Sequence, residues 1–289
     1  MRLRTLPLAA ASILGGYAIA LSKDSGNTTI FLLALLTTLL LQILSNLAND
    51  LGDGIKGTDN EERLGPKRSI QSGSISPKSM KKGVLIFSLL ALISGITLLY
   101  ISVSQNTALL YFFLILGIVS IVAALTYTIG KKAYGYSGFG DVFVLLFFGF
   151  VGVLGSQYLM TQNILLQDIF PALTIGLLST AVLNMNNMRD HKNDAKSGKN
   201  TLVVNMGFKN AKIYHSFLLI FAMVSHLVFL LYFPFQLVFI ITFLPFIFLV
   251  LNLVKVVKNT DEKELDKELK IIALSTLVLS ITLNIIFVV

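Results

Sequence analysis

The chain has 289 residues and a formal net charge of +8, with 55% hydrophobic and only 13% charged residues. Soluble domains carry about a quarter charged residues, and the mean hydropathy here is +0.79, so a water-facing globular fold is excluded. Cysteine is absent, which removes disulfide frameworks, thiolate zinc sites and cysteine nucleophiles.

Apolar runs near the ~20 residues needed to cross a hydrocarbon core recur along the chain. In order they predict helices over 5–21, 29–49, 83–104, 108–128, 141–160, 169–188, 211–233, 235–256 and 271–289. The runs are apolar all round, unlike amphipathic soluble helices. Breaks at Gln105-Asn106, Gln162-Asn163 and Phe233-Pro234 are short, so the helices they join are expected to be antiparallel neighbours. The expected fold is all-α, a polytopic membrane bundle of about nine spans forming one domain. The opening Met1-Arg2-Leu3-Arg4, its apolar run and Ala18-Ile19-Ala20 also fit a cleavable signal peptide. Nothing downstream reads as a secreted domain, so a retained first helix is the expectation.

Charge sets the topology. If the spans alternate, the side holding the N-terminus carries every lysine and arginine, Arg2 and Arg4 included, except Lys23. The positive-inside rule puts that side, with all the long loops, in the cytoplasm of a cell-membrane protein. The basic surplus thus serves topology and not nucleic acid. The acidic residues are equally one-sided, with only Asp24 and Asp168 opposite.

Several carboxylates sit where apolar helices end. The segment from Asn46 reads NLANDLGDGIKGTDNEERLGPKRSIQSGSISP, and the segment from Asn184 reads NMNNMRDHKNDAKSGKNTLVVNMG. Asp50 and Asp53 share a face if their helix continues through them, as do Asp190 and Asp194. Asn46 and Asn186 are 140 apart, as are Asp50 and Asp190, while Asp53 and Asp194 are 141 apart. This spacing suggests two related halves, about 1–128 and 141–256, plus a final helix over 271–289. Such halves would bring both clusters to one cytoplasmic mouth.

Two carboxylates ~5.5 Å apart repel by roughly 3 kcal/mol at an effective dielectric near 20. Four at a bilayer edge call for protonation or a cation. Oxygen-only ligation suits Mg²⁺, which completes its shell with waters and substrate phosphates. Lys56, Arg63, Lys67, Arg68, Arg189, Lys192 and Lys199 are placed to hold phosphate oxygens. An apolar cavity below such a mouth suits a polyprenyl diphosphate. Membrane-edge carboxylates are functional by default, whereas Glu61, Glu62 and the run DEKELDKE over 261–268 read as solvated charges.

With these residues quoted, the chain resembles the UbiA superfamily of intramembrane prenyltransferases, in particular its 1,4-dihydroxy-2-naphthoate polyprenyltransferase branch. The first superfamily motif, N-D-x-x-D-x-x-x-D, is matched by Asn49, Asp50 and Asp53. Its fourth position is Gly57, with Asp59 two residues on. The second, D-x-x-x-D, is matched by Asp190 and Asp194, followed by Lys199-Asn200-Thr201. The tracts RLRTLPLA from Arg2, KGTDNEERLGPKRSIQSGSISP from Lys56 and YGYSGFGDVFVLLFFG from Tyr134 are similar to the naphthoate branch.

The resemblance implies Mg²⁺-dependent transfer of a prenyl group to an aromatic acid, with loss of CO₂ from the attacked position. Asp50 and Asp53 would hold one Mg²⁺, and Asp190 and Asp194 a second. Asn46, Asn49, Asn186 and Asn187 are ligands, nearby donors or interhelical hydrogen-bonding groups. Asp141, near Tyr127, Lys131 and Lys132, is a candidate to orient or deprotonate the acceptor, with a lysine attracting its carboxylate. Tyr127, Tyr134 and Tyr136 are alternatively interfacial anchors. His215 and His226 read as satisfied bundle residues, and His191 has no metal-ligand spacing. Rival readings are another acceptor, such as 4-hydroxybenzoate, homogentisate or a haem precursor, or a secondary transporter with acidic residues nearer the bilayer centre.

Overall fold

The computed structural model describes residues 3–288; Arg2, counted above among the cytoplasmic charges, and Val289, the end of the last predicted span, lie outside them. The described residues form an all-helical bundle: α1 (Leu6–Leu21), α2 (Thr28–Lys56), α3 (Pro77–Val103), α4 (Thr107–Thr126), α5 (Gly140–Thr161), α6 (Ile169–Lys196), α7 (Leu202–Leu230), α8 (Leu237–Lys258) and α9 (Leu265–Ile286). Eight of these elements are long and apolar enough to cross a membrane, and α1 is a shorter apolar helix. The expected count of about nine is roughly met.

Capping explains where the helices begin. Asn27 accepts from the Ile30 N–H at 3.1 Å, and Asn106 accepts from the Leu109 N–H at 3.1 Å. The predicted break at Gln105-Asn106 is thus a cap. Ser76 caps α3 with Pro77 in its first turn, so this helix starts six residues before its apolar run. The ends of α2 and α6 likewise run past the hydrocarbon-length stretches, to Lys56 and Lys196. Apolar runs mark the part of a helix that lipid demands, and the polar turns beyond are set by caps and propensity. In α7 the difference has another cause: Gly207 takes a non-helical backbone (φ 81°, ψ 157°) that kinks the helix, and the straight portion follows it.

The middle of α5, Leu145–Gly155, is wound as a π-helix. Small residues let it approach its neighbours closely. A Cβ on Gly149 would stand 2.6 Å from the Ala172 carbonyl of α6, and one on Gly16 of α1 would stand 2.5 Å from the Val153 carbonyl. Of the eight long helices α6 is the most enclosed and α4 the most peripheral. At the end opposite the acidic loops, Lys23 meets Asp168 at 2.5 Å. Both are charges that alternation of the spans puts on the outer side.

Candidate active site

Both acidic motifs lie on continuous helix ends. Asn46, Asn49, Asp50 and Asp53 are buried in the last turns of α2, and Asn187, Arg189, Asp190, Asn193 and Asp194 in those of α6. Thr128, just after α4, donates to the Ala48 carbonyl at 3.0 Å and lies 3.3 Å from Asn49 Oδ1. It packs so closely on Gly52 that a Cβ there would meet its hydroxyl at 2.5 Å. Gly57 ends α2 in the left-handed conformation (φ 74°), which glycine adopts without steric cost. The fourth position of the first motif is therefore a helix stop, and the chain turns there to bring Asp59 back into the site.

Asp50, Asp53, Asp59, Asp190 and Asp194 line one cavity of about 680 Å³. Their charges are met by the protein's own cations. Arg68 holds Asp50 at 2.7 Å and reaches Asp59 at 3.7 Å, while Arg63 lies 3.3 Å from both Asp59 and Asp190. Arg189 grips Asp190 at 2.6 and 3.0 Å and Asp266 of α9 at 2.6 Å, and Arg4 pairs with Asp266 at 2.6 Å. An alternating chain of charges thus runs Arg4, Asp266, Arg189, Asp190, Arg63, Asp59, Arg68, Asp50. It ties the turn before α1, α9, α6, the 57–76 loop and α2 together.

A second bridge joins the remaining two motif carboxylates. Lys199 Nζ stands 3.9 Å from Asp53 Oδ2 and 3.8 Å from Asp194 Oδ1. The Tyr136 hydroxyl donates to Asp53 at 2.8 Å, and the Thr58 hydroxyl lies 2.6 Å from it. The Lys56 ammonium sits 3.9 Å above the Tyr136 ring and that of Lys199 at 5.5 Å, a cation–π pair of contacts. Burial first, then the Asp53 charge, push the Tyr136 phenol well above its ordinary value of 10.0. It therefore stays a proton donor to the carboxylate.

Below the charged rim the wall is aromatic. Tyr127 and Tyr134 meet edge-on at 5.2 Å, Tyr134 stacks on Phe143 at 4.0 Å, and Phe143 on Phe147 at 6.1 Å. All four line the cavity. These rings place quadrupole faces beside the space next to the carboxylates.

Other expected residues are placed as follows. Arg63, Lys67, Arg68, Arg189, Lys199, Asn46, Asn49, Asn186 and Tyr127 line the cavity. Lys56 and Asn187 are not among its lining residues; Lys56 caps the Tyr136 ring from outside, and Asn187 is buried within α6. Lys131 and Lys132 are exposed and off the cavity. Asp141 is buried but faces α7, where Tyr214 hydrogen-bonds to it, so the expected cluster of Asp141 with Lys131 and Lys132 does not form around the cavity. His215 meets Asn252 at 3.1 Å and His226 meets Thr242 at 2.8 Å, as satisfied bundle residues.

The run over 261–268 is a correction. Glu264 and Lys267 form an exposed pair, but Asp266 carries two arginines, and Glu268 is buried beneath Asn252 at 3.1 Å and Lys255 at 2.9 Å. A mixed-sign run at helical spacing shows which residues share a face, but not which face meets another helix.

The donor chemistry suits a hard divalent ion. The carboxylates offer oxygen only, in two pairs facing one cavity, with asparagine amides beside them. Among the described residues no three His, Asp or Glu side chains already form a cage. A hard divalent ion completes its shell with water and phosphate, and the arginines and Lys199 that now neutralise the carboxylates are themselves phosphate-binding groups.

The model of the UbiA prenyltransferase family matches residues 9–279. The chain is 49% identical, over 79% of its length and 74% of the relative's, to a 1,4-dihydroxy-2-naphthoate octaprenyltransferase of Haemophilus influenzae. It is 48% identical to that of Escherichia coli, over 78% of this chain and 72% of the relative. A solved structure of a UbiA homolog from Archaeoglobus fulgidus bound to DMAPP and Mg²⁺ has a TM-score of 0.65 at 14% identity, covering 98% of this chain and 99% of that one. An apo homolog from Aeropyrum pernix gives 0.68 at 17%, covering 96% of each. At such identities the likeness to the two structures is one of fold.

Proposed function

The chain belongs to the UbiA prenyltransferase family, and on that premise we propose that it transfers a polyprenyl group from polyprenyl diphosphate to 1,4-dihydroxy-2-naphthoate. CO₂ and diphosphate are lost, and the product is demethylmenaquinol, for menaquinone synthesis. The observation that carries this reading is one cavity in which both acidic motifs meet above an aromatic and aliphatic chamber, in a chain nearly half identical to naphthoate prenyltransferases.

Asp50 and Asp53 would hold one Mg²⁺, and Asp190 and Asp194 another; the ions supply Lewis-acid neutralisation of the departing diphosphate. Arg63, Lys67, Arg68, Arg189 and Lys199 bind and orient the diphosphate oxygens. Tyr136 fixes Asp53, and Asn49, held beside Thr128, fixes the neighbouring turn. The wall of Tyr127, Tyr134, Phe143 and Phe147 excludes water and stabilises positive charge that develops at the allylic carbon. The mouth opens to the cytoplasm, following the positive-inside bias. Helices α2 and α6 are equivalent members of two related halves, about 1–128 and 141–256.

The test is an assay on membranes with labelled polyprenyl diphosphate and each acceptor in turn. Prenylated, decarboxylated product is expected with the naphthoate, lost on chelation and restored by Mg²⁺. Asp50→Ala or Asp190→Ala should lower turnover by at least about a thousandfold while membrane insertion persists. Product with 4-hydroxybenzoate alone would refute the acceptor, and Mg²⁺-dependent activity retained in both variants would refute the ligand assignment.

A further inference from the structure

A second, smaller pocket lies behind the acidic motif of α6, with a volume of about 210 Å³. Arg189 and Asp190 line it and line the main cavity too, so their ion pair is the wall between the two spaces. Both residues are buried, as is Asn193 beside them. At the pocket's mouth the side chains of Lys192 and Lys196 are 72% and 66% exposed. The pocket therefore runs from water to the back of the active site. Lys192, expected from the sequence to hold phosphate, is not among the residues lining the main cavity and lines this pocket instead.

The lining is of mixed charge. Lys196 meets Glu62 of the 57–76 loop at 2.5 Å, and Lys192 meets Glu262, just before α9, at 2.7 Å. Ion pairs with exposed lysines contribute little, so an arriving ligand separates them at small cost. Beneath them Asn193 donates through Nδ2 to the Thr58 carbonyl at 2.9 Å. Its buried Oδ1 accepts from no group among the described residues. A bare anion would satisfy the three cations and leave these acceptors opposed to it. A diphosphate carrying a hydrated divalent ion suits both sets. Its phosphate oxygens accept from Arg189, Lys192 and Lys196, and its metal-bound water donates to Glu62, Glu262 and the Asn193 amide oxygen.

Prenyl transfer yields one product that belongs in lipid and another, diphosphate, that belongs in water. We propose that this pocket is a transit site for the diphosphate product, held there with its magnesium by Arg189, Lys192 and Lys196 on its way from the cavity to water. This rests on the prenyl-transfer reading. Arg189 faces both spaces, so phosphate oxygens pass from one to the other without losing its guanidinium.

Leu64 lines this pocket and not the main cavity, and the chain has no cysteine. Leu64→Cys therefore places a single thiol at the site without altering its charges. Labelling of that thiol by a water-soluble maleimide should slow about tenfold when inorganic diphosphate and Mg²⁺ stand at ten times their dissociation constant. Geranyl diphosphate with Mg²⁺ and no acceptor keeps its head group in the cavity and should not slow it. Adding Lys196→Glu should raise the diphosphate concentration needed for protection at least about tenfold. Absence of protection, equal protection by geranyl diphosphate, or protection undiminished in Lys196→Glu overturns the proposal.

A kinetic arm tests the exit itself. Once Leu64→Cys carries a bulky maleimide, its single-turnover rate should stay within about twofold while steady-state turnover falls at least about tenfold. Steady-state turnover that does not fall, or an equal fall in both rates, overturns the exit. Failure of the unmodified protein to prenylate the naphthoate strikes the reaction assignment instead, which the labelling of the thiol does not depend on.

Discussion

Tyr136 holds a carboxylate with its hydroxyl and two lysines with its ring. Replacing it by Phe keeps the ring and removes the hydrogen bond to Asp53. A bond to a charged group contributes about 1.5–3 kcal/mol, so Tyr136→Phe should cut prenyl transfer about tenfold or more in a steady-state assay. Burial raises the phenols of both Tyr134 and Tyr136 above the ordinary 10.0. A group raised in the folded state stabilises below its unfolded pKa and loses that contribution as pH climbs toward the folded one. Thermal stability in detergent should therefore decline once pH passes about 10, less steeply in a Tyr134→Phe/Tyr136→Phe protein. The motif aspartates were legible in the sequence, because charge at the end of an apolar run is conspicuous. Tyr136 and Asp266 were not, since their value comes from partners distant in the chain. Asp266→Asn should lower activity several-fold, whereas Glu264→Gln, at an exposed residue paired with exposed Lys267, should leave it unchanged; equal effects would remove Asp266 from the site's framework.

At the scale of elements, α5 shows what the apolar pattern conceals. The run over 141–160 marked a span, and Gly140–Thr161 is one, yet nothing in the hydropathy announces that Leu145–Gly155 is a π-helix. Its wider turn puts Phe147, Phe148, Val151 and Gly152 on the cavity wall, while Gly149 faces α6 with no room for a methyl group. Gly149→Ala must push α5 and α6 apart and should destabilise the fold by about 1–3 kcal/mol, read as a lowered melting temperature in detergent. Gly117→Ala, into open space, is the matched control and should leave it unchanged. The acid-bearing turns of α2 and α6 were legible as helix because three- and four-residue spacing aligns carboxylates. The start of α7 was not, because Gly207 breaks the period.

For the whole molecule, one-sided charge foretold which ends share a side. The Lys23–Asp168 pair stands apart from the acidic mouth, where the two motifs meet. A chain without cysteine allows the orientation to be read directly. Ser72→Cys and Gln105→Cys place single thiols on exposed loops at the two ends. An impermeant maleimide should label Gln105→Cys in intact cells and Ser72→Cys only after permeabilisation. The reverse pattern would turn the mouth outward.

The chain of ion pairs from Arg4 to Asp50 contains as many cations as anions, so its members cancel one another within a poorly hydrated pocket. An uncompensated ion is expensive to bring into such surroundings. An anionic headgroup arriving by itself, or a divalent metal arriving by itself, would each leave the ledger unbalanced. The two enter at least cost together, as a package whose charges largely cancel, so affinity for either should rise with the concentration of the other.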